Sequence, residues 1–265
     1  MPKQSNAILY HGEPNGPSLS VLAALEESGL DIECKPIDLL AGERHTIPGI
    51  TERTARDMAV EGEGPVLVID GEAMSEAVFL AQFFDESAGG CGLQPDDPYV
   101  HWQTLMWCRQ ATERLSPAVA YLGNLAHARS RLAGMSEAEF GQLLGAIASE
   151  DLRARWKELR DAEPDPGKVS DSQAKIDQFA ERAESQLADG RKWLMGPFSI
   201  ADLETYGWMV SAAELRPSAF EAKPKLAAWM ERVADRPSVR AARGRAQSND
   251  PRQAFAPGPE INRWG

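Results

Sequence analysis

The apolar run Ala7-Ile-Leu-Tyr10 reads as a buried strand, and residues 32–37 read as a second one. Between them Val21, Leu22 and Leu25 fall on one side of a helical pattern, with Glu26 and Glu27 on the other. That spacing predicts a helix over 18–28, stopped by Gly29. Pro65-Val-Leu-Val-Ile69, then Asp70-Gly71, then Glu72-Ala-Met74 is the pattern of a tight hairpin. Val78, Phe79, Leu80 and Phe83 predict a helix over 75–85 with those four side chains buried. Residues 40–62, rich in Gly, Thr and charge, are expected to form a long loop with one helical turn. The resulting order β-α-β-loop-β-β-α ends at Ser87-Ala-Gly-Gly-Cys-Gly92, a stretch that reads as a linker.

Beyond residue 98 only helical patterns and loops appear. Trp102, Leu105, Met106 and Trp107 open a long helix that Pro117 is expected to kink. Three capping boxes follow: Ser136-Glu-Ala-Glu139 flanked by Met135 and Phe140, Ser170-Asp-Ser-Gln173, and Ser199-Ile-Ala-Asp202 flanked by Phe198 and Leu203. The second leads into Ile176, Phe179, Ala180, Ala183 and Leu187, and the third into an apolar segment that reads as a buried central helix. Residues 151–168 are charged and contain proline, so they are expected to lie on the surface. Leu226, Trp229, Met230 and Val233 mark the last helices, and the Pro/Gly-rich tail 247–265 is expected to run extended over the surface.

Composition narrows the function classes. With 265 residues, 43% hydrophobic and 26% charged, the chain is an ordinary globular protein of one large domain or two. Its net charge of −12 offers no field for a polyanion, so nucleic acid is not an expected partner. No apolar run suggests a signal peptide or a membrane span, and three widely separated cysteines suit a reducing compartment; a cytoplasmic protein without membrane contact is expected. His11, His45, His101 and His127 form no ligand spacing, so no metal is expected.

The small α/β unit with proline opening its third strand, the linker, and the helical region centred on Ser199-Ile-Ala-Asp202 resemble the glutathione S-transferase superfamily. The resemblance implies a thioredoxin-like domain over 1–86, a linker over 87–97, an all-helical domain over 98–246 with an insert at about 135–168, and the tail. Within the superfamily the chain is similar to bacterial β-etherases, through Pro17-Ser-Leu-Ser-Val-Leu22, Asp97-Pro-Tyr99, Met135-Ser-Glu-Ala-Glu-Phe140 and Arg155-Trp-Lys-Glu-Leu-Arg160. It implies glutathione as co-substrate, a small aromatic ether ketone as substrate, thiolate attack at the β-carbon with release of a phenol, and a homo- or heterodimer. A non-catalytic subunit of a heterodimeric β-etherase and a general glutathione transferase are the alternatives.

The resemblance also places site residues. Ser18 stands where the family has the hydroxyl that stabilises the glutathione thiolate; from its position alone it reads as the cap of its helix. Asn15 is a second donor on the same loop, or a turn residue. Pro65 stands where the family has a cis-proline, with Gly64 before it offering backbone hydrogen bonds to the cysteinyl part of glutathione. Glu76 would meet the γ-glutamyl ammonium group, or simply favour a helix N-terminus. The family's Ser or Thr is replaced by Ala77, which leaves Ser75 and backbone N–H groups for the α-carboxylate. Trp107 and Arg109 are candidates for the aromatic pocket, with Trp102, Met106, Gln110 and Tyr121 also available.

Overall fold

The computed structural model describes residues 7–47, 49–50 and 64–258. Most of the loop expected at 40–62 therefore lies outside the described residues, apart from a 3₁₀ turn at Glu43–Thr46. Four strands, β1 (Ala7–His11), β2 (Glu33–Pro36), β3 (Val66–Ile69) and β4 (Glu72–Met74), form one sheet in the order β2-β1-β3-β4. The β1–β2 pair is parallel, as a helical crossover requires, and the β1–β3 and β3–β4 pairs are antiparallel. Helices α1 (Gly16–Ser28) and α2 (Ala77–Ser87) complete a thioredoxin-like unit. Gly29 ends α1 with a φ of 65°, the left-handed stop that its position predicts. The Gly64–Pro65 bond is trans, since no cis peptide bond occurs among the described residues; the cis-proline expected at this point is corrected accordingly.

The all-helical region opens with α3 (Pro98–Gln110), capped by Asp97, and continues through α4 (Ser116–Gly123) and α5 (Arg129–Ala133). The joints are two π-helical turns, Ala111–Leu115 and Asn124–Ala128. The first accommodates Pro117: the Ser116 N–H reaches back five residues to the Ala111 carbonyl, so the missing proline N–H falls in a register shift and not in a break. Helices α6 (Glu137–Ala146), α7 (Glu150–Asp161), α8 (Pro166–Gln186), α9 (Ile200–Leu215), α10 (Pro224–Ala234) and α11 (Pro237–Arg243) follow.

Several local expectations are corrected. Helix α8 starts at Pro166, before Ser170, because Asp165 accepts the N–H groups of Gly167 (2.7 Å) and Lys168 (3.4 Å) and Pro166 fits a first helical position. Residues 150–161 form a helix with a buried face: Leu152 and Trp156, one turn apart, join Leu132, Phe140, Leu143 and Ile147 in a satellite core. Phe79 is exposed, because the buried face of α2 runs through Leu80, Ala81 and Phe84. The tail also departs from its expected surface course: Phe255 and Ala256 are buried, and a Cβ on Gly123 would lie 2.4 Å from the Phe255 ring.

Helix α9 is buried on nearly every side. Its first turn is held by Asp202, which accepts the N–H groups of Ser199 (3.1 Å) and Leu194 (3.0 Å) and the indole N–H of Trp229 (2.8 Å). Further along, Gly207 meets the start of α1 so closely that a Cβ would stand 2.5 Å from the Gly16 carbonyl oxygen. The opposite end of α1 is tied down by Glu27, which receives both Arg236 nitrogens at 2.8 Å. The loop between β1 and α1 is thereby fixed from the helical domain.

A buried carboxyl sits in the same contact. Glu204 accepts the Trp208 indole N–H at 3.1 Å, its other oxygen has no partner, and Ser20 lies beside it outside hydrogen-bond geometry. Burial first, with repulsion from Glu76, pushes its pKa up to about 7. The folded protein therefore holds this proton more tightly than the unfolded chain, so the associated stability is complete below about pH 4.5 and is lost as pH rises through about 7. Glu204→Gln is expected to leave stability at pH 4.5 nearly unchanged and to raise it at pH 8 by about 1–2 kcal/mol, discounted for local relaxation. Urea unfolding at the two pH values measures the difference; a variant less stable at pH 8 would contradict this account.

Candidate active site

A cleft of about 680 Å³ opens where the two domains meet. One wall is the β1–α1 loop at Gly12 and Glu13, with residues 36–40 after β2. The other is the second π turn at His127 and Ala128, then Arg131, and the C-terminal segment from Gln247 to Phe255. His127 in this π turn lines the cleft, and the absence of a side chain on Gly123, just before the turn, leaves the space that the Phe255 ring fills. His127 stacks on Phe255 with ring centres 6.1 Å apart and planes 11° apart. Arg131 pairs with Asp38 across the mouth, and the Gln247 N–H donates to Glu13 at 3.1 Å.

Ser18 lies behind the Gly12 wall. It sits inside the first turn of α1 and not at its cap, which is Asn15. The Gly12 N–H donates to the Ser18 Oγ at 3.1 Å, while among the described residues nothing accepts the Ser18 hydroxyl hydrogen. The reading of Ser18 as a simple cap is therefore corrected, because the helix starts two residues earlier.

Asn15 has a different task from the one its loop position suggests. Its amide nitrogen donates to the carbonyls of Arg252 (3.3 Å) and Ala254 (3.0 Å), and its oxygen accepts from Ser211 at 2.6 Å. This clasp holds the C-terminal segment as a wall of the cleft. Asn15→Ala is expected to cost about 1–2 kcal/mol and to expose the backbone near residue 252 to protease. Limited proteolysis followed by mass spectrometry checks it; an unchanged cleavage pattern would remove the clasp.

The other predicted residues gather at the N-terminus of α2 and the start of β3. Glu76 adopts φ 73°, ψ 111°, a strained backbone for a residue with a side chain and of a kind that accumulates at binding sites. Burial pushes its carboxyl up, and the Arg44 guanidinium opposes the shift. Arg44, fully buried, also donates from Nε to the Gly64 carbonyl at 2.8 Å, so one backbone acceptor expected for glutathione already has a donor. Ser75 and Ala77 flank Glu76, and Pro65 is buried beside Gly64. Arg44 had no signal in the sequence, since it lies in the segment read as loop.

Trp107 and Arg109 do not reach the cleft. Trp107 is core: its indole N–H donates to Thr205 at 2.9 Å and its ring packs edge-on against Phe179. Arg109 points to solvent and pairs with Glu113. Trp102 is exposed and stacks on Tyr99, Tyr121 lines a different cavity, and Met106 and Gln110 are not among the residues lining the cleft. Among the described residues no cluster of His, Cys, Asp and Glu could hold a metal ion, and no helix is long and apolar enough to cross a membrane.

Comparison with known proteins agrees with this architecture. Residues 153–237 match the family described as glutathione S-transferase, C-terminal domain. The protein LigF of Sphingobium sp. (strain NBRC 103272 / SYK-6) is 23% identical over 242 residues, 88% of this chain and 91% of LigF. The crystal structure of the β-etherase LigF from Sphingobium sp. strain SYK-6 superposes with a TM-score of 0.77 at 22% identity, covering 91% of this chain and 99% of that one. A glutathione transferase homologue from Sulfitobacter, solved with bound glutathione, gives 0.59 at 18% identity, covering 90% and 97%. Glutathione transferase F7 of Populus trichocarpa gives 0.60 at 23% identity, covering 89% and 97%. With the thioredoxin-like sheet and the helical domain together, the chain has the fold of the glutathione S-transferases, and residues 153–237 carry the sequence match to their C-terminal domain.

Proposed function

We propose that this protein is a glutathione transferase that cleaves β-aryl ethers of aromatic ketones. The observation that carries the reading is the cleft between the β1–α1 loop and the helical domain, with the Ser18 hydroxyl hydrogen, which has no acceptor among the described residues, directly behind its Gly12 wall. The likeness to a β-etherase and to a transferase holding glutathione supports it. Glutathione would lie along the thioredoxin-like domain, its γ-glutamyl end at Glu76 and the N–H groups of α2, and its thiol at the start of α1, where the helix dipole and the Ser18 O–H favour the thiolate. The thiolate attacks the carbon α to the ketone that bears the ether oxygen. The carbon–sulfur bond forms, the carbon–oxygen bond breaks, and its electron pair leaves on a phenolate that then takes a proton. His127 and Phe255 offer a flat surface for the aromatic part.

Incubation of the purified chain with glutathione and a β-aryl ether ketone is expected to yield one phenol per thioether; no phenol above the uncatalysed rate would sink the reading. A partner-subunit role is the second reading, favoured by Ala77, which lacks the hydroxyl expected for the α-carboxylate. Glutathione titration separates the two, because a chain without a working site would bind none alone.

A dimer follows from the same reading. Phe79 on α2 is 67% exposed, and Tyr99 and Trp102 on α3 are 64% and 55% exposed, unusual for large apolar side chains. Sedimentation is expected to show a dimer that Phe79→Glu dissociates; a monomeric wild type would reject this face.

A further inference from the structure

Helices α6 and α7, the pair inserted in the helical domain, pack against the loop that follows β2. Leu40 is buried in the satellite core with Leu143, Leu144 and Trp156, and Leu39 lies at its edge. Gly42, with φ 77°, brings the backbone onto α6, where a Cβ would stand 3.4 Å from the Leu143 side chain. His45 is buried and meets the Trp156 ring edge-on, with ring centres 6.5 Å apart. Arg131 of α5 adds an ion pair to Asp38, which in turn accepts the N–H groups of Leu40 and Ala41 at 3.0 Å. The loop is thus tied to the helical domain at both ends.

Its other side serves the thioredoxin-like domain. Residues 43–46 form a 3₁₀ turn, in which successive side chains are about 120° apart, so Arg44 and His45 leave it in different directions. His45 goes to α7, whereas Arg44 donates to the Gly64 carbonyl at 2.8 Å and opposes the effect of burial on the Glu76 carboxyl. Leu39 backs the β1–α1 loop, since a Cβ on Gly12 would meet it at 2.5 Å. Burial first, with the Arg44 charge beside it, pushes the His45 pKa down to about 4, so above that pH its ring packs against Trp156 uncharged.

We propose that the inserted pair α6–α7 is a positioning device for glutathione: Trp156, through His45, and Leu143, through Gly42, hold the 43–46 turn so that Arg44 shapes the γ-glutamyl end of the site at Gly64 and Glu76. Trp156 touches no substrate and acts only through the backbone from which Arg44 extends. The proposal rests on glutathione lying at Gly64 and Glu76, and it gives α6 and α7 a task in co-substrate binding beyond burying their own apolar faces.

Calorimetric titration of the full chain with glutathione tests it, with circular dichroism confirming that each variant folds. Trp156→Leu is expected to weaken glutathione binding about 10-fold, and Leu143→Ala to weaken it in the same direction. Trp156→Phe is expected to keep wild-type affinity, because the Trp156 indole N–H makes no hydrogen bond among the described residues and Phe retains a ring for His45. Arg44→Gln is expected to weaken binding at least as much as Trp156→Leu, and the double variant no further than Arg44→Gln alone; a merely structural residue would add its own loss. Arg160→Ala, which takes the guanidinium off the Phe140 ring elsewhere in the satellite core, is expected to lower Tm and leave affinity unchanged. If Trp156→Leu does not fold, Leu143→Ala carries the comparison. The proposal is overturned if the folded variants bind glutathione as wild type does, if the losses of Trp156→Leu and Arg44→Gln add, or if Arg160→Ala weakens binding as much. An Arg44→Gln protein with wild-type affinity would instead remove glutathione from Gly64 and Glu76, and the proposal with it.

Discussion

Ser18→Ala is expected to lower kcat/KM for glutathione transfer about 100-fold, the scale on which removal of one preorganised donor to a developing or standing anion acts. The Ser18 oxygen accepts the Gly12 N–H and its hydrogen has no acceptor among the described residues, whereas the Asn15 amide is bound to the C-terminal segment. Loss of the O–H raises the thiol pKa of bound glutathione, so the acid limb of the pH–rate profile is expected to move to higher pH in the variant. That shift separates thiolate stabilisation from support of the Gly12 N–H, whose loss would weaken binding with no change in pH profile. Ser18→Thr, which keeps the hydroxyl, is expected to recover a large part of the rate. Unchanged kcat/KM and an unchanged profile in Ser18→Ala would remove Ser18 from the chemistry.

Gly207→Ala is expected to be the most destabilising single methyl in the chain, by about 3 kcal/mol or more. The added carbon would stand 2.5 Å from the Gly16 carbonyl oxygen, and backbone at a helix start cannot rotate away as a side chain can. Either α9 withdraws from α1, opening a core that holds Leu22, Met209 and Ala212, or the first turn of α1 moves and carries Ser18 with it. Thermal unfolding measures the first response and glutathione affinity the second. Gly141→Ala, at a helical position with open space around it, is the control and is expected to change stability by less than about 0.5 kcal/mol. A Gly207→Ala protein as stable as wild type, with normal glutathione affinity, would show that this contact does not position the β1–α1 loop.

Much of the fold was legible in the sequence because local signals and burial agreed. The hairpin at Asp70-Gly71 and the helix stop at Gly29 follow from backbone preferences that act within a few residues, and the Ser199–Asp202 cap is likewise short-range. Where two local signals competed, the sequence misled. Asp165-Pro166 and Ser170-Asp-Ser-Gln173 are both good helix starts, and the earlier one wins because a helix extends while its face remains buried. Phe79 looked buried because its neighbours were apolar, yet one step of 100° turns it to solvent.

The candidate site was legible in part. Ser18, Pro65 and Glu76 were named because the family resemblance assigns roles to positions that follow the first strand, open the third and start the second helix. Arg44, His127 and Phe255 could not be placed, because each comes to the site from a distant element: Arg44 from a 3₁₀ turn, His127 from a π turn, Phe255 from a tail that reads as loose. Trp107 shows the converse, an aromatic that the pattern allowed in a pocket and packing placed in the core.

The sequence by itself determined the elements and their order and most of the caps and turns that bound them, because propensity, hydrogen-bond capacity and periodicity are properties of neighbouring residues. Only the tertiary structure decided which polar groups are engaged: that Asn15 is occupied by the C-terminal segment, that among the described residues the Ser18 hydrogen, one Glu204 oxygen and Asn124 Oδ1 have no partner, and that a Cβ on Gly207 would meet the Gly16 carbonyl. These are facts about groups up to 239 positions apart in the chain, and they are settled by close packing, which no local pattern encodes.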